Sequence, residues 1–120
     1  MNHILIIEDD IEIIKPLTLL LEAKDFVVSS CERGDLAVGL VKENLPDIVL
    51  LDLSLPYLSG AEVCKQIRIF SDLPIIIITA NKSTKSVIEL YSLDIDDILY
   101  KPFSIKELYL RINSVMKRCM

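Results

Sequence analysis

Five short apolar segments, separated by longer stretches with helical spacing, constrain the fold of this chain most strongly. The segments are HILII (3–7), FVVSS (26–30), DIVLLD (47–52), PIIIITA (74–80) and DDILYK (96–101). The third and fourth lack the alternating polar residues of a half-exposed strand, which is typical of strands buried on both faces. The pattern therefore predicts strands that occupy the middle of a parallel sheet.

Apolar residues recur at helical spacing after each of these segments. The predicted helices cover residues 10–24, 33–44, 60–70, 83–93 and 104–118. Five strands that alternate with five helices predict an α/β fold of the (βα)5 type. Such a fold is a doubly wound parallel sheet with helices on both faces, joined by right-handed crossovers.

Two helix starts and one interruption are predicted from local residue types. Asp10 is expected to cap the first helix, and Ser104 with Glu107 forms a capping-box pattern at the last helix. Pro16 lies inside the first helical stretch, where a proline removes a backbone donor. We therefore expect a kink there, or a helix that starts late.

Length and charge exclude several classes of protein. The 120 residues are enough for one domain with one hydrophobic core, and the net charge of −5 disfavours nucleic-acid binding by the chain itself. No apolar run is long enough to span a membrane and no signal-peptide pattern is present, so a cytoplasmic protein without membrane contact is expected.

The cysteines and the single histidine are predicted to have no chemical role. Cys31, Cys64 and Cys119 are odd in number and widely spaced, which suits neither a disulfide framework nor a zinc site. Cys64 is expected in the core of the third helix. His3 is expected on the surface at the start of a strand.

Polar residues follow the predicted strands: Glu8 and Asp9 the first, Asp52 the third, Thr79 the fourth and Lys101 the fifth. Ligands of parallel α/β sheets bind beyond these strand ends. Clustered carboxylates repel one another, and Mg²⁺ relieves the repulsion with one or two carboxylates, a carbonyl and several waters. Asp52 can then attack phosphorus, while Lys101 and Thr79 suit the new phosphoryl oxygens.

Four motifs resemble the receiver domain of bacterial two-component response regulators. ILIIEDD, LLDLSLPYLSG, IIIITA and YKPFS stand in the order and at the spacing of that family, and the resemblance covers nearly all 120 residues. It implies one receiver domain over residues 1–120. It also implies a flavodoxin-like, or CheY-like, five-stranded sheet with strand order 2-1-3-4-5.

The resemblance also assigns roles to individual residues. Asp52 is the expected phosphoacceptor, and Thr79 and Lys101 are expected to bind the phosphoryl group. The expected cofactor is Mg²⁺, with Asp9, Asp52 and the Ser54 carbonyl as ligands and Glu8 acting through water. Pro56 and Gly60 are expected to shape the following loop, and the Lys101–Pro102 peptide bond is expected to be cis. Such a domain is not a separate enzyme, although it catalyses its own phosphotransfer and dephosphorylation.

The C-terminal segment DDILYKPFSIKELYLRINSVMKR resembles the subfamily whose receivers precede a winged-helix DNA-binding domain. The resemblance implies a sensor histidine kinase as phosphodonor, and a chain cut from a longer protein that binds DNA only through its missing C-terminal domain. It also implies a homodimer on activation, through the fourth helix, fifth strand and fifth helix. The expected cross-subunit charge pairs use Asp96, Asp97, Glu107, Arg111 and Arg118.

Four positions depart from the pattern of that subfamily. Ile98 stands where a switch tyrosine or phenylalanine is usual, and Tyr100 is expected to share its face, two residues along the strand. Val87 stands where the fourth helix usually carries a basic residue. Asp94–Ile95 replaces the usual Gly–Ala pair. These departures concern the switch and the dimer rather than the phosphorylation site.

Other functions remain open for this sequence. A stand-alone receiver or a pseudo-receiver would act only as a protein-interaction module. Haloacid-dehalogenase phosphatases carry a second aspartate two residues after the nucleophile, where this chain has Ser54. Flavodoxin-type FMN binders need a Ser/Thr/Gly-rich loop after the first strand, where this chain has Glu8, Asp9 and Asp10.

Overall fold

A computed structural model describes residues 2–55, 57–80 and 84–119, with side chains described outside 84–87. The strands within these residues are β1 (His3–Ile7), β2 (Val27–Cys31), β3 (Ile48–Asp52), β4 (Ile75–Thr79) and β5 (Asp97–Tyr100). The helices are α1 (Ile11–Ala23), α2 (Gly34–Asn44), α3 (Gly60–Phe70), α4 (Thr84–Tyr91) and α5 (Ile105–Cys119). The strands are parallel in the order β2-β1-β3-β4-β5, which confirms the predicted (βα)5 fold.

The sheet separates two hydrophobic cores. Every residue of β3 and β4 is buried, so both faces of these strands are covered. Along β3, Ile48 and Leu50 face the core that α1 and α5 complete, whereas Val49 and Leu51 face the core of α2, α3 and α4. This double coverage explains why the central strands have no alternating polar residues.

The β2 segment was predicted one residue too early. Phe26 does not join the sheet, because its backbone N–H donates to the Leu21 carbonyl at 3.0 Å and closes the end of α1. Strand β2 begins instead at Val27, opposite His3 of β1. The other predicted boundaries lie within two residues of those observed.

The helix starts follow the capping residues. Asp10 accepts the Glu12 backbone N–H at 2.9 Å and α1 begins at Ile11, so the alternative of a late start is wrong and the helix continues through Pro16. Ser104 caps α5 by accepting the Glu107 N–H at 2.9 Å, as predicted.

The cysteines behave as predicted. All three are free, with Cys31 and Cys64 buried and Cys119 exposed. Burial raises the pKa of the Cys64 thiol, which keeps it protonated in the core.

His3 is half-buried rather than a plain surface residue, because its Nε2 lies 2.8 Å from the Ser29 hydroxyl. Over the described ranges, helices of membrane-spanning length and apolarity do not occur.

Candidate functional site at the carboxyl ends of the strands

The buried polar side chains of the described residues all lie at one edge of the sheet. Glu8 follows β1, Asp52 ends β3 and Thr79 ends β4, and their exposed fractions are 0%, 2% and 1%. Burying polar and charged groups costs free energy unless they find partners. Their clustering at the strand ends therefore marks this edge as the candidate site.

Lys101 supplies the positive charge of the site. Its Nζ lies 2.9 Å from Glu8 Oε1 and 3.3 Å from Asp52 Oδ2. Burial lowers the pKa of the ammonium, but its contacts with Glu8 and Asp52 outweigh burial, so the pKa of Lys101 is raised. Lys101 is thus a fixed cation beside the expected phosphoacceptor.

The sequence did not reveal the contact between Lys101 and Glu8. Strands β1 and β5 are separated in the sheet by β3 and β4, so the lysine reaches across two strand ends to the glutamate. Only the strand order places these residues together. The spacing of residues along the chain carries no such signal.

Three carboxylates form a cluster suited to a hard cation. Oxygen atoms of Glu8, Asp9 and Asp52 all lie within 4.8 Å of one another, with Asp9 exposed and the other two buried. Within the described part of the chain, Glu8 Oε1 accepts no hydrogen bond of good geometry. An oxygen-only donor set that is open on one side fits Mg²⁺, which keeps several waters.

Ser54 lies beside the expected phosphoacceptor. Its backbone N–H donates to Asp52 Oδ1 at 3.2 Å, and the Asp9 N–H donates to Glu8 Oε2 at 3.1 Å. Both backbone donors orient a carboxylate of the cluster. The use of the Ser54 carbonyl as a metal ligand stays a prediction.

Glu8 is held partly neutral by its surroundings. Burial, assisted by the neighbouring Asp52, raises the pKa of Glu8 from 4.5 to about 7, although Lys101 opposes the shift. Near neutral pH a metal-free site therefore contains a mixture of protonated and ionised Glu8. Proton release from Glu8 accompanies the charging of the cluster.

Thr79 and Lys101, the residues expected to bind the phosphoryl group, lie beside Asp52 and each other at the strand ends. Asp52 of β3 stands opposite Ile78 of β4, so Thr79 follows one position beyond it. The Thr79 carbonyl accepts the Lys101 backbone N–H at 2.9 Å, which ties together the ends of β4 and β5. The predicted cis peptide bond between Lys101 and Pro102 is confirmed.

The loop after Asp52 needs a glycine at its end, as predicted. A Cβ on Gly60 would lie 2.5 Å from the Asp52 carbonyl oxygen and 2.7 Å from the Leu53 Cα. The Gly60 N–H donates to the Leu53 carbonyl at 3.1 Å. Pro56, also expected to shape this loop, lies outside the described residues.

Replacing Gly60 is therefore expected to destabilise the domain. Gly60→Ala should lower the free energy of unfolding by about 1–3 kcal/mol, because the backbone of the Asp52 loop must shift. Gly39→Ala is a matched control inside α2, where a Cβ meets nothing within 4 Å. It should stabilise by about 0.5–1 kcal/mol. Urea unfolding followed by circular dichroism measures both, and equal effects would contradict the role of Gly60.

The departures from the family pattern have local explanations. Ile98 is buried, and Tyr100 packs against the same core cluster, so their predicted shared face is confirmed. Asp94, in place of glycine, has a φ of 58°, a left-handed conformation that favours glycine. Its carbonyl accepts two hydrogen bonds from Arg68, at 3.2 Å and 2.8 Å, which hold this turn. The Val87 side chain lies outside the described part of the chain.

The residues expected in dimer charge pairs make contacts within the chain. Arg111 contacts Asp97 at 3.0 Å and Glu107 at 3.4 Å. Asp96 contacts Arg68 at 3.6 Å and accepts the Ile75 backbone N–H at 2.8 Å.

Arg118 is the fifth of these residues, and its contact is weaker. Its Nη2 donates to the Asp96 carbonyl at 3.5 Å, the long limit for a hydrogen bond. Any cross-subunit pairs would have to compete with these contacts inside one chain.

Comparison with known proteins assigns the family. Residues 4–113 match the family model described as the response regulator receiver domain. The chain is 39% identical over 118 residues to the sensory transduction protein RegX3 of Mycolicibacterium smegmatis, covering 98% of this chain and 52% of RegX3. It is 36% identical to the DNA-binding response regulator MtrA of Mycolicibacterium paratuberculosis, again over 98% of this chain and 52% of the relative. The chain thus spans about half the length of these curated relatives.

Solved structures agree with the fold. The receiver domain of the Francisella response regulator 1452 superposes with a TM-score of 0.91 at 32% identity, over 100% of both chains. A two-component response regulator from Clostridium difficile superposes with a TM-score of 0.93 at 27% identity, over 99% of this chain and 98% of that one. The phosphatase and flavin-binding alternatives are thereby set aside, and the chain belongs to the response regulator receiver domain family of two-component signalling proteins.

Proposed function

We propose that this domain is a phosphorylation-driven switch in which Asp52 accepts a phosphoryl group. The observation that carries the proposal is the contact of buried Asp52 with the Lys101 ammonium, 3.3 Å away, beside the carboxylates of Glu8 and Asp9. A carboxylate in this setting stays available as a nucleophile, and the charge that it gains on phosphorylation meets a cation already in place.

The proposed donor is a phosphohistidine of a sensor histidine kinase. A carboxylate oxygen of Asp52 attacks phosphorus, a P–O bond forms, the P–N bond breaks, and the imidazole leaves and takes a proton. Lys101 neutralises the arriving phosphoryl oxygens, and the Thr79 hydroxyl donates to one of them. In dephosphorylation, which is a separate reaction, water attacks phosphorus, a new P–O bond forms, the bond from phosphorus to the Asp52 oxygen breaks, and inorganic phosphate and the Asp52 carboxylate are released.

Glu8, Asp9, Asp52 and Ser54 are the proposed residues of a Mg²⁺ site. When bound, Mg²⁺ offsets the charge of the carboxylates and of the phosphoryl group. The chain's own groups set the geometry. The Ser54 and Asp9 backbone N–H groups orient the Asp52 and Glu8 carboxylates, and Lys101 bridges the two.

The names of the relatives support the proposed output. One relative is called a sensory transduction protein and another a DNA-binding response regulator, and each is about twice as long as the matched segment. We propose that a winged-helix DNA-binding domain follows residue 120 in the complete protein and that the switch acts in the cytoplasm. The receiver, with its net charge of −5, would contact the kinase and a second receiver rather than DNA.

Incubation with acetyl phosphate and Mg²⁺, followed by intact-mass spectrometry and peptide mapping, tests this function. The proposal requires one added phosphoryl group, located on Asp52. A pseudo-receiver would acquire none.

Activation is proposed to favour a dimer through α4, β5 and α5. Phosphorylation would draw Thr79 toward the phosphoryl group and shift a pre-existing equilibrium of this face. Ile98 is shorter than the usual aromatic residue and stiff at its first side-chain torsion, so it cannot reproduce a ring movement. Tyr100, which packs against the same cluster, is the aromatic residue placed to respond.

The activated dimer is expected to be weak and to depend on Arg111. Because Arg111 already contacts Asp97 within its own chain, a cross-subunit pair replaces an existing one, and exposed pairs contribute about 0–1 kcal/mol each. Arg111→Ala should weaken the beryllofluoride-treated dimer several-fold. Glu107→Ala should leave it nearly unchanged, because Val87 offers Glu107 no basic partner.

Analytical sedimentation of treated and untreated wild-type protein and of the two treated variants measures these effects. Raising the salt concentration should weaken the treated wild-type dimer as well. A large loss with Glu107→Ala, or the lack of a dimer at any concentration of treated protein, would show that the output surface is misassigned.

A further inference from the structure

We propose that Arg33 and Tyr57 are positioning residues of the phosphorylation site. Their side chains form a contact, here called the Arg33–Tyr57 latch, that holds the β3–α3 loop on the N-terminus of α2. The described residues of this loop are 53–55 and 57–59. By restricting the loop, the latch raises the affinity of the Asp52 site for Mg²⁺. The inference rests on the proposed function of Asp52, because it assigns the latch to that site.

The latch is a stacked cation on an aromatic ring. Arg33 Cζ lies 4.0 Å from the centre of the Tyr57 ring, well within the range of a cation–π contact. Asp35 also holds the guanidinium, accepting hydrogen bonds from Arg33 Nε at 3.0 Å and from Nη2 at 2.6 Å. A guanidinium held by a bidentate pair presents its flat face to the ring with little further loss of side-chain freedom.

The backbone conformation of Tyr57 is unfavourable and therefore needs a stabilising contact. Tyr57 has a φ of 71°, in the left-handed region where residues with a Cβ are disfavoured. Its side chain is also 74% exposed, so the hydrophobic core does not anchor it. Among the described residues, the contact with Arg33 is the ring contact that can stabilise this conformation.

A close backbone approach shows that the loop and α2 lie directly against each other. A Cβ on Gly34, the first residue of α2, would overlap the Leu58 carbonyl oxygen. The α2 end of this contact is tied to β2, because Cys31 Sγ donates to the Arg33 carbonyl at 3.1 Å. The β3–α3 loop therefore packs against the start of α2, which is itself hydrogen-bonded to the end of β2.

The other end of the loop is the site itself. Ser54 donates its backbone N–H to Asp52 Oδ1 at 3.2 Å, and the Gly60 N–H donates to the Leu53 carbonyl at 3.1 Å. Movement at Tyr57 is therefore confined to a short closed segment that contains Ser54. A loop restrained in one conformation binds a ligand more tightly, because less ordering remains to be done on binding.

Hydrogen exchange in EDTA tests the restraint without metal or phosphorylation. In Arg33→Ala and Tyr57→Ala the amides of residues 53–55 and 57–60 should exchange about two- to five-fold faster, the size expected for an exposed cation–π contact. Tyr57→Phe keeps the ring and should exchange like the wild type. The double variant should exchange no faster than either single variant, because each one removes the same contact.

Isothermal titration calorimetry with Mg²⁺ tests the consequence for the site. Affinity should fall about two- to five-fold in Arg33→Ala and Tyr57→Ala, and Tyr57→Phe should restore it. Lys42→Ala is a matched control, because it removes another cation–π contact of α2. Lys42 lies near the C-terminus of that helix, and its Nζ is 5.0 Å from the centre of the Phe70 ring. It should change neither loop exchange nor Mg²⁺ affinity.

Several results would overturn the proposal. These are a Tyr57→Phe variant that behaves like Tyr57→Ala, alanine effects that add independently in the double variant, and faster exchange with unchanged Mg²⁺ affinity. A wild-type protein that binds Mg²⁺ with this dependence on the latch but is not phosphorylated on Asp52 would contradict the proposed function instead. The two failures are therefore distinguishable.

Discussion

Asp52→Ala is expected to abolish phosphorylation of the domain, whereas the wild-type protein gains one phosphoryl group from acetyl phosphate in Mg²⁺. Asp52 is the carboxylate that combines burial at the end of β3 with a direct contact to Lys101, at 3.3 Å. Removing it eliminates the nucleophile and leaves Glu8 paired with the lysine. Intact-mass spectrometry with peptide mapping measures the change.

Two further variants test which side chains the phosphorylation of Asp52 depends on. Lys101→Ala should slow phosphorylation by about 10²–10³-fold, the usual loss when one group that stabilises developing negative charge is removed. Asp72→Ala removes an exposed carboxylate that precedes β4, away from the carboxyl ends of the strands, and should be phosphorylated like the wild type. Equal modification of Asp52→Ala and wild type, or full modification in EDTA, would contradict the assignment.

Glu8→Gln is expected to stabilise the metal-free domain above neutral pH. The folded-state pKa of Glu8 is raised from 4.5 to about 7, so the folded protein keeps a proton that the unfolded chain releases. The wild-type free energy of unfolding therefore falls as the pH rises through this interval. Each pKa unit corresponds to about 1.4 kcal/mol, which makes the full loss about 3 kcal/mol. Glutamine does not titrate and avoids this loss, while Lys101 keeps its contact with Asp52.

Urea unfolding in EDTA at pH 5 and pH 8 measures this difference. The two proteins should have similar stability at pH 5, and Glu8→Gln should be more stable at pH 8 by about 1–3 kcal/mol. Mg²⁺ should raise the melting temperature of the wild type, and Asp9→Asn should reduce that increase while the pH dependence remains. A Glu8→Gln variant that is less stable at pH 8, or a melting temperature unaffected by Mg²⁺, would refute the electrostatic account of the cluster.

The fold and the membership of the site were predictable because they depend on strong, local signals. Unbroken apolar runs such as PIIIITA predicted the central strands, and the residue at the end of each run predicted what the sheet edge would contain. Parallel strands bring their carboxyl ends to one edge whatever the details of packing. Glu8, Asp52, Thr79 and Lys101 thus lie at one edge of the sheet as expected, although the direct contact of Lys101 with Glu8 was not predicted.

The details that the sequence did not reveal depend on which side chains compete for one partner. The residue types and positions of Asp96 and Arg111 do not indicate whether each pairs within its own chain or with a second subunit. The structure pairs Asp96 with Arg68 and Arg111 with Asp97. For Pro16, the alternative of a late helix start was wrong, because the Asp10 cap at the first turn fixes the helix start at Ile11.

The contact between Glu8 and Lys101 has a consequence for biosynthesis. One residue follows the first strand and the other follows the last, so the site joins nearly the two ends of the domain. A nascent chain emerges from the ribosome N-terminus first. Until Lys101 has left the exit tunnel, Asp52 and its acidic neighbours have no cation, and β4 has no partner at its outer edge. If Asp52 is the phosphoacceptor, as proposed, a nascent chain should accept a phosphoryl group there only after Lys101 has emerged and β5 has joined the sheet.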